Sequence, residues 1–220
     1  MPLPDSKKIT REFVIAGEGA GDQALLSYLC AANGIAGYQI ENFGGIGNLE
    51  SWLSGLPGLS GYSRLRLIIV VADNDDHPDE RFTEVRKAIK KAKLPTPQNA
   101  FELRKEQNKP AMLVVMLPFT PPATPNRGCL ETLLLESASA NLQQYMPCVD
   151  QFCTCVNSEA WAQRSHVDKL RLRILLSGAS EDDPNLGLQY ALNPDNNLIP
   201  LDHQSFDGLV AVLRNTPELL

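Results

Sequence analysis

Glu18, Asp22, Asp73, Asp75 and Glu131 are the residues whose types and spacing could do chemistry. Asp73-Asn74-Asp75 follows the apolar run Leu65–Ala72. A strand alternates its side chains, so this spacing predicts Asp73 and Asp75 on one side and Asn74 on the other. Two carboxylates about 7 Å apart at a strand end can share or bridge a hard divalent ion, and Mg²⁺ or Mn²⁺ prefers such oxygen ligands. Glu18 and Asp22 lie in Gly17-Glu18-Gly19-Ala20-Gly21-Asp22, at the end of another apolar run. If a helix opens near Gly19, they stand four apart and can face one point. Glu131 opens a helical segment after a third run. Five carboxylates at neighbouring strand ends would repel one another strongly without a cation. Two divalent ions about 4 Å apart could activate a water there and stabilise the leaving oxygen of a phosphodiester.

Other chemistry is less well supported. Gly17–Asp22 superficially resembles a phosphate loop, but it lacks the Lys-Ser/Thr ending of a P-loop and the full GxGxxG order. Glu18 between its glycines would repel a phosphate unless a cation intervened. Cys148, Cys153 and Cys155 cluster with His166 nearby, at a spacing that fits no common zinc pattern. The five cysteines, an odd number with no secretion signal in Met1–Asp5, point to the cytoplasm and free thiols. The net charge of −6 argues against a generally basic nucleic-acid coat. From Arg81 to Lys109, however, nine basic residues face three acids, a net +6 that leaves −12 on the remainder. Arg86, Lys87, Lys90 and Lys91 of that strip are candidate contacts for DNA or RNA, although the strip taken alone reads sooner as a solvated helix face. No apolar run is long enough to span a membrane. The oligomeric state is not legible.

The elements that must position these residues alternate. Arg11–Gly17 reads as a buried strand, Asp22–Ala32 as a helix ended by Asn33-Gly34, Tyr38–Asn42 as a weak strand and Ile46–Leu53 as a short helix. Leu65–Ala72 is apolar on both faces from Leu67 onward, as a central parallel strand should be. Pro78 opens an amphipathic helix through Phe82, Val85, Ala88 and Ile89, and Ala111–Leu117 is another fully apolar strand. A stiff loop with four prolines, Pro118–Arg127, precedes helices over Cys129–Ser139, Glu159–Leu176 (with Trp161 on it) and Phe206–Leu213. This rhythm predicts an α/β fold: an open, mainly parallel four-stranded sheet of Rossmann-like type flanked by helices, with a mostly helical C-terminal extension. The 220 residues suit a single domain over 1–220, with a core of about 9–139 and a helical part of about 140–220. Such sheets place ligands at the carboxyl ends of their strands.

Val14-Ile15-Ala16-Gly17-Glu18-Gly19 and Ile69-Val70-Val71-Ala72-Asp73-Asn74-Asp75 together resemble a Toprim domain, shared by topoisomerases, bacterial primases, ribosomal-RNA maturases and OLD-family nucleases. Phe43-Gly44-Gly45, Asp73–Phe82 with Pro78, Gly128-Cys129-Leu130-Glu131 and the Asp168-Lys169 helix extend the match. They are similar to an uncharacterised family of small Toprim-like proteins closest to the OLD type. The resemblance implies Glu18 and Asp22 as first-strand metal ligands, with Glu18 also a general acid/base. It implies Asp73 and Asp75 as DxD ligands, Glu131 as an extra acidic ligand, and Mg²⁺ or Mn²⁺ as cofactor. Lys169 would stabilise developing phosphate charge; its other reading is a surface lysine beside Arg171 and Arg173. Asp76 would support the DxD from behind. Cys129 departs from the pattern, where a small polar residue would better serve a metal. The implied activity is a divalent-metal-dependent nuclease, or a related phosphoryl-transfer protein, acting on DNA or RNA. OLD-type nucleases carry an ATPase, so a separate ATPase subunit is an expected partner. The alternative is a non-catalytic subunit that binds metal, nucleic acid or an ATPase, in anti-phage defence. A two-component receiver would need a lone acceptor Asp and a shorter chain, and a haloacid-dehalogenase-like phosphatase would carry its DxD after the first strand.

Overall fold

The computed structural model describes residues 8–121 and 124–220. The N-terminal run Met1–Asp5 and Pro122 of the proline loop lie outside the described residues. The first half of the chain runs β1 (Phe13–Gly17), α1 (Ala20–Ala32), β2 (Tyr38–Asn42), α2 (Leu49–Gly55), β3 (Leu67–Asp73), α3 (Pro78–Lys91) and β4 (Ala111–Leu117). The four strands form one parallel sheet in the order β2-β1-β3-β4. β3 is central, and all but its last residue is buried, as its continuous apolar run requires.

Alternation along the strands divides the core in two. Ile15, Leu67, Ile69, Val71, Leu113 and Val115 face one side, where Leu25 and Leu29 of α1 pack. Val14, Ala16, Ile68, Val70, Met112 and Val114 face the other, against Leu49 and Leu53 of α2 and Val85 and Ile89 of α3. Each fully buried aliphatic side chain contributes about 1.5–3 kcal/mol, so both faces must be covered.

The second half of the chain supplies most of the first cover. The proline segment forms a small hairpin of β5 (Phe119–Thr120) and β6 (Thr124–Pro125). Then come α4 (Leu130–Asn141), α5 (Met146–Cys155), α6 (Arg164–Ala179), the single turn α7 (Leu188–Ala191) and α8 (Asp207–Asn215). Leu134 of α4, Leu175 of α6 and Leu213 of α8 share one core with Ile15 and Leu67 of the sheet. The Tyr38 hydroxyl donates to the Leu213 carbonyl at 2.8 Å, tying α8 to the edge strand.

The C-terminal helices differ from the sequence expectation. No helix spans Glu159–Leu176: a 3-10 turn at Ser158–Ala160 is followed by a break, and α6 starts only at Arg164. Trp161 therefore lies outside α6 and is 42% exposed. α5, which begins with Met146-Pro147, was hidden behind its cluster of cysteines. Among the described residues no helix is long and apolar enough to cross a membrane.

Candidate metal centre

The strand order reverses between β1 and β3. From β1 the chain crosses outward through α1 to β2; from β3 it crosses the opposite way through α3 to β4. A parallel sheet opens a crevice at the carboxyl ends of such a strand pair. Glu18 directly follows β1 and Asp73 ends β3. There a cavity of about 310 Å³ is lined by Glu18, Asp22, Asp73, Glu131 and Lys169. Four of the five predicted acids and the predicted lysine thus share one space. A wider cleft of about 560 Å³ at the opposite end of β1, lined by Thr10, Glu12 and Arg64, gathers no such set.

Local geometry fixes each acid. Gly17 must be glycine because a Cβ there would collide with the Asp22 side chain. That close approach brings α1 against the end of β1. Gly19 caps the helix, and its N–H donates to Asp22 Oδ2 at 2.8 Å. Asp22 Oδ1 is buried and has no hydrogen-bond partner. Burial first, then Glu18 and Glu131, push the Asp22 carboxyl up to about 6. The opening N–H of α4, on Leu130, donates to Asp73 Oδ1 at 2.8 Å. Burial first, then the charges of Asp22, Glu131 and Glu18, hold Asp73 well above the usual carboxylate range. Glu131 sits in the first turn of α4, where the helix dipole favours negative charge.

Lys169 reaches this cavity from α6. Burial alone would lower its ammonium, but Glu131, then Cys129, Asp73 and Asp75, outweigh that and hold it raised. α6 is locked in place by polar contacts. Thr132 Oγ1 accepts from the Cys129 N–H at 3.1 Å and donates to the buried Asp168 at 2.7 Å. Asp76 accepts the Arg164 N–H at 2.9 Å, joining the DxD loop to the start of α6.

The DxD itself corrects the alternation argument. The strand stops at Asp73, and Asp75 has φ of +47°, a left-handed conformation that strand alternation does not describe. Asn74 is fully buried and donates to the Pro118 carbonyl at 2.7 Å. Asp75 turns toward α3, where Arg81 Nε lies 3.1 Å from Asp75 Oδ2. Arg81 Nη2 meets Glu18 Oε2 at 3.1 Å and Oε1 at 3.3 Å, and Nη1 meets Glu84 at 2.9 Å. Arg81 appeared in the sequence only as one charge of the basic strip. Its place here depends on a contact 63 residues away, which no local pattern announces.

Cys129 also belongs to the site. Its Sγ and carboxylate oxygens of Asp73 and Glu131 lie within 4.8 Å of one another. Burial, then Glu131 and Asp73, raise this thiol, which keeps it protonated at neutral pH. The remaining cysteine cluster does not converge. Cys148 and Cys155 are exposed and Cys153 is buried, all as free thiols.

The basic strip runs along α3 away from the cavity, since the helix descends from Arg81 toward the amino ends of the strands. Arg86 is engaged by the Pro97 carbonyl at 3.0 Å and Gln98 at 2.8 Å, over the Phe82 ring. Lys91 pairs with Glu50 at 2.9 Å. Lys87 and Lys90 are exposed.

Residues 12–217 match the DUF3226 family, described as "Protein of unknown function", and the chain belongs to it. No curated protein matches. The chain is similar to two structures of the C-terminal region of the Xanthomonas campestris pv. campestris OLD protein, one phased with mercury and one with iodine. Each is 14% identical, with 96% of this chain and 98% of that chain covered, at TM-scores of 0.47 and 0.48 respectively.

Proposed function

We propose that the cavity holds a divalent cation, Mg²⁺ or Mn²⁺, and that the protein is a Toprim-like, metal-dependent nuclease acting on DNA or RNA. One observation carries the reading. Asp22, Asp73 and Glu131 line one cavity, burial opposes the ionisation of Asp22 and Asp73, and a buried oxygen of Asp22 is left without a hydrogen-bond partner. A buried unpaired carboxylate oxygen is costly unless a proton or cation meets it. The donors are mainly carboxylate oxygens, which suit a hard ion; the neutral Cys129 thiol adds little for Mg²⁺.

Asp22, Asp73 and Glu131 would hold the ion, which supplies Lewis acidity toward a phosphodiester oxygen. Lys169, positively charged beside them, is placed to stabilise negative charge growing on the phosphate. Glu18 lines the same cavity and is the candidate proton acceptor. Asp75 contributes through Arg81. Lys87 and Lys90 offer the strand an exposed basic approach, and Arg86 and Lys91 would have to exchange protein partners to join them. An ATPase subunit is the proposed protein partner.

The test is cleavage of plasmid and single-stranded substrates in Mg²⁺, in Mn²⁺ and in chelator, with Asp73→Ala beside the wild type. Cutting that requires metal and Asp73 is the expected result. Metal uptake without cutting under any of these conditions would replace the nuclease with a metal-binding, non-catalytic subunit.

A further inference from the structure

We propose that the Arg81 guanidinium takes the place of a second cation, so that the centre binds one divalent ion rather than two. This rests on the metal reading above and sharpens it. The acids divide by the partners they already have. Both oxygens of Glu18 lie within 3.3 Å of Arg81 Nη2, and Oε1 also accepts the Ile46 N–H at 3.3 Å. The same guanidinium reaches Asp75 through Nε at 3.1 Å. Arg81 is only 16% exposed and is held by three carboxylates, with Glu84 the third. The terminal nitrogens make charge-assisted hydrogen bonds to Glu18 and Glu84, while the Nε contact with Asp75 is an ion pair by distance without hydrogen-bond geometry.

Asp22 and Asp73, in contrast, accept backbone N–H groups from Gly19 and Leu130, and among the described residues neither forms an ion pair, although Lys169 lines the same cavity. They remain open to a metal, with Glu131 beside them. A second ion bridging Glu18 and Asp75 would have to displace a cation already there. Glu18 and Asp75 therefore set the position of Arg81, and the exchangeable ion lies on the Asp22–Asp73–Glu131 side.

The experiment counts equivalents. Mn²⁺ is titrated into the full chain, followed by calorimetry and by the electron paramagnetic resonance signal of free Mn²⁺. Wild type should take up one equivalent. Arg81→Ala should take up two, because Glu18 and Asp75 lose their resident cation; Arg81→Lys should again take up one. Circular dichroism monitors the fold, and Arg81→Gln, polar and uncharged, replaces the alanine variant if that one does not fold. Two equivalents of comparable affinity in wild type overturn the inference and leave the metal reading standing. A single equivalent in folded Arg81→Ala, or in folded Arg81→Gln where it replaces the alanine variant, also overturns it. No uptake by wild type overturns the metal reading, and this inference with it.

Discussion

Two groups of carboxylates stand side by side at the carboxyl edge of this sheet and are treated oppositely by the fold. Glu18 and Asp75 are partly exposed and share one arginine, whose single charge offsets part of theirs within the protein. Asp22 and Asp73 are more deeply buried, receive only backbone N–H groups and have carboxyls pushed upward. The difference lies in the supporting elements. α3 pairs a cation with the first group, while α1 and α4 give the second their opening amides and α6 brings Lys169 into the cavity without an ion pair to Asp22 or Asp73. Acidic residue types are therefore no guide to which carboxylates bind a metal. What decides it is whether the fold has already supplied a counter-charge.

The comparison breaks most visibly at Asp73. Asp73→Ala should weaken Mn²⁺ uptake by about 100-fold or more, since a direct ligand counts for more than a supporting residue. Asp75→Ala should cost much less, because it touches the ion only through Arg81. Equal losses in isothermal titration would erase the distinction between the two groups.

A stability effect of opposite sign comes next. The folded-state pKa of Asp22 is about 6 against an ordinary 3.8, so the folded chain binds that proton more tightly than the unfolded one. The contribution of Asp22 is therefore complete below about pH 4 and is lost as pH rises through about 6, amounting to about 2–3 kcal/mol. Asp22→Asn, which does not titrate, should gain that amount over wild type in chelator above about pH 7 and little below about pH 4. Added Mn²⁺ should stabilise wild type and leave the variant unmoved. Urea unfolding across this range measures it. A pH-independent difference would mean that the carboxyl is not strained.

Much of this was legible in the sequence, and the exceptions share a cause. The runs Leu67–Ala72 of β3 and Ala111–Leu117 of β4 are apolar on both faces and so read as buried strands, with the acids at strand ends following from them, but β3 is central while β4 lies at the sheet edge, which composition alone does not distinguish. Arg81 was invisible as a site residue because its partners come from β1 and the DxD turn, far off in sequence. Strand alternation does not place Asp75 because the strand ends at Asp73, two residues before it, and Asp75 itself turns left-handed. α5 and the break before α6 were missed because cysteines and Trp161 carry no clear helical period, and only packing against the sheet defines those boundaries.

Smaller effects sharpen the positions of α4 and α6. Thr132→Val removes the hydroxyl between the Cys129 N–H and buried Asp168, which should cost about 1–3 kcal/mol in chemical denaturation. It should also lower the affinity for Mn²⁺ by a small factor through Glu131 and Lys169. No loss of stability would mean that a water replaces the hydroxyl. The smallest effect concerns the basic strip. Lys87→Ala and Lys90→Ala should each reduce the salt dependence of nucleic-acid binding by about one phosphate contact, with cleavage chemistry unchanged. An unaltered salt slope would assign these lysines to a solvated face.

The central claim, that buried carboxylates at the junction of β1 and β3 await a cation, is tested most directly by calorimetric titration of Mn²⁺ into wild type and Asp73→Ala above about pH 7, where Asp22 is ionised. Saturable uptake by wild type that Asp73→Ala abolishes is the predicted result. Absence of uptake by the folded wild type, or uptake indifferent to Asp73, would contradict it.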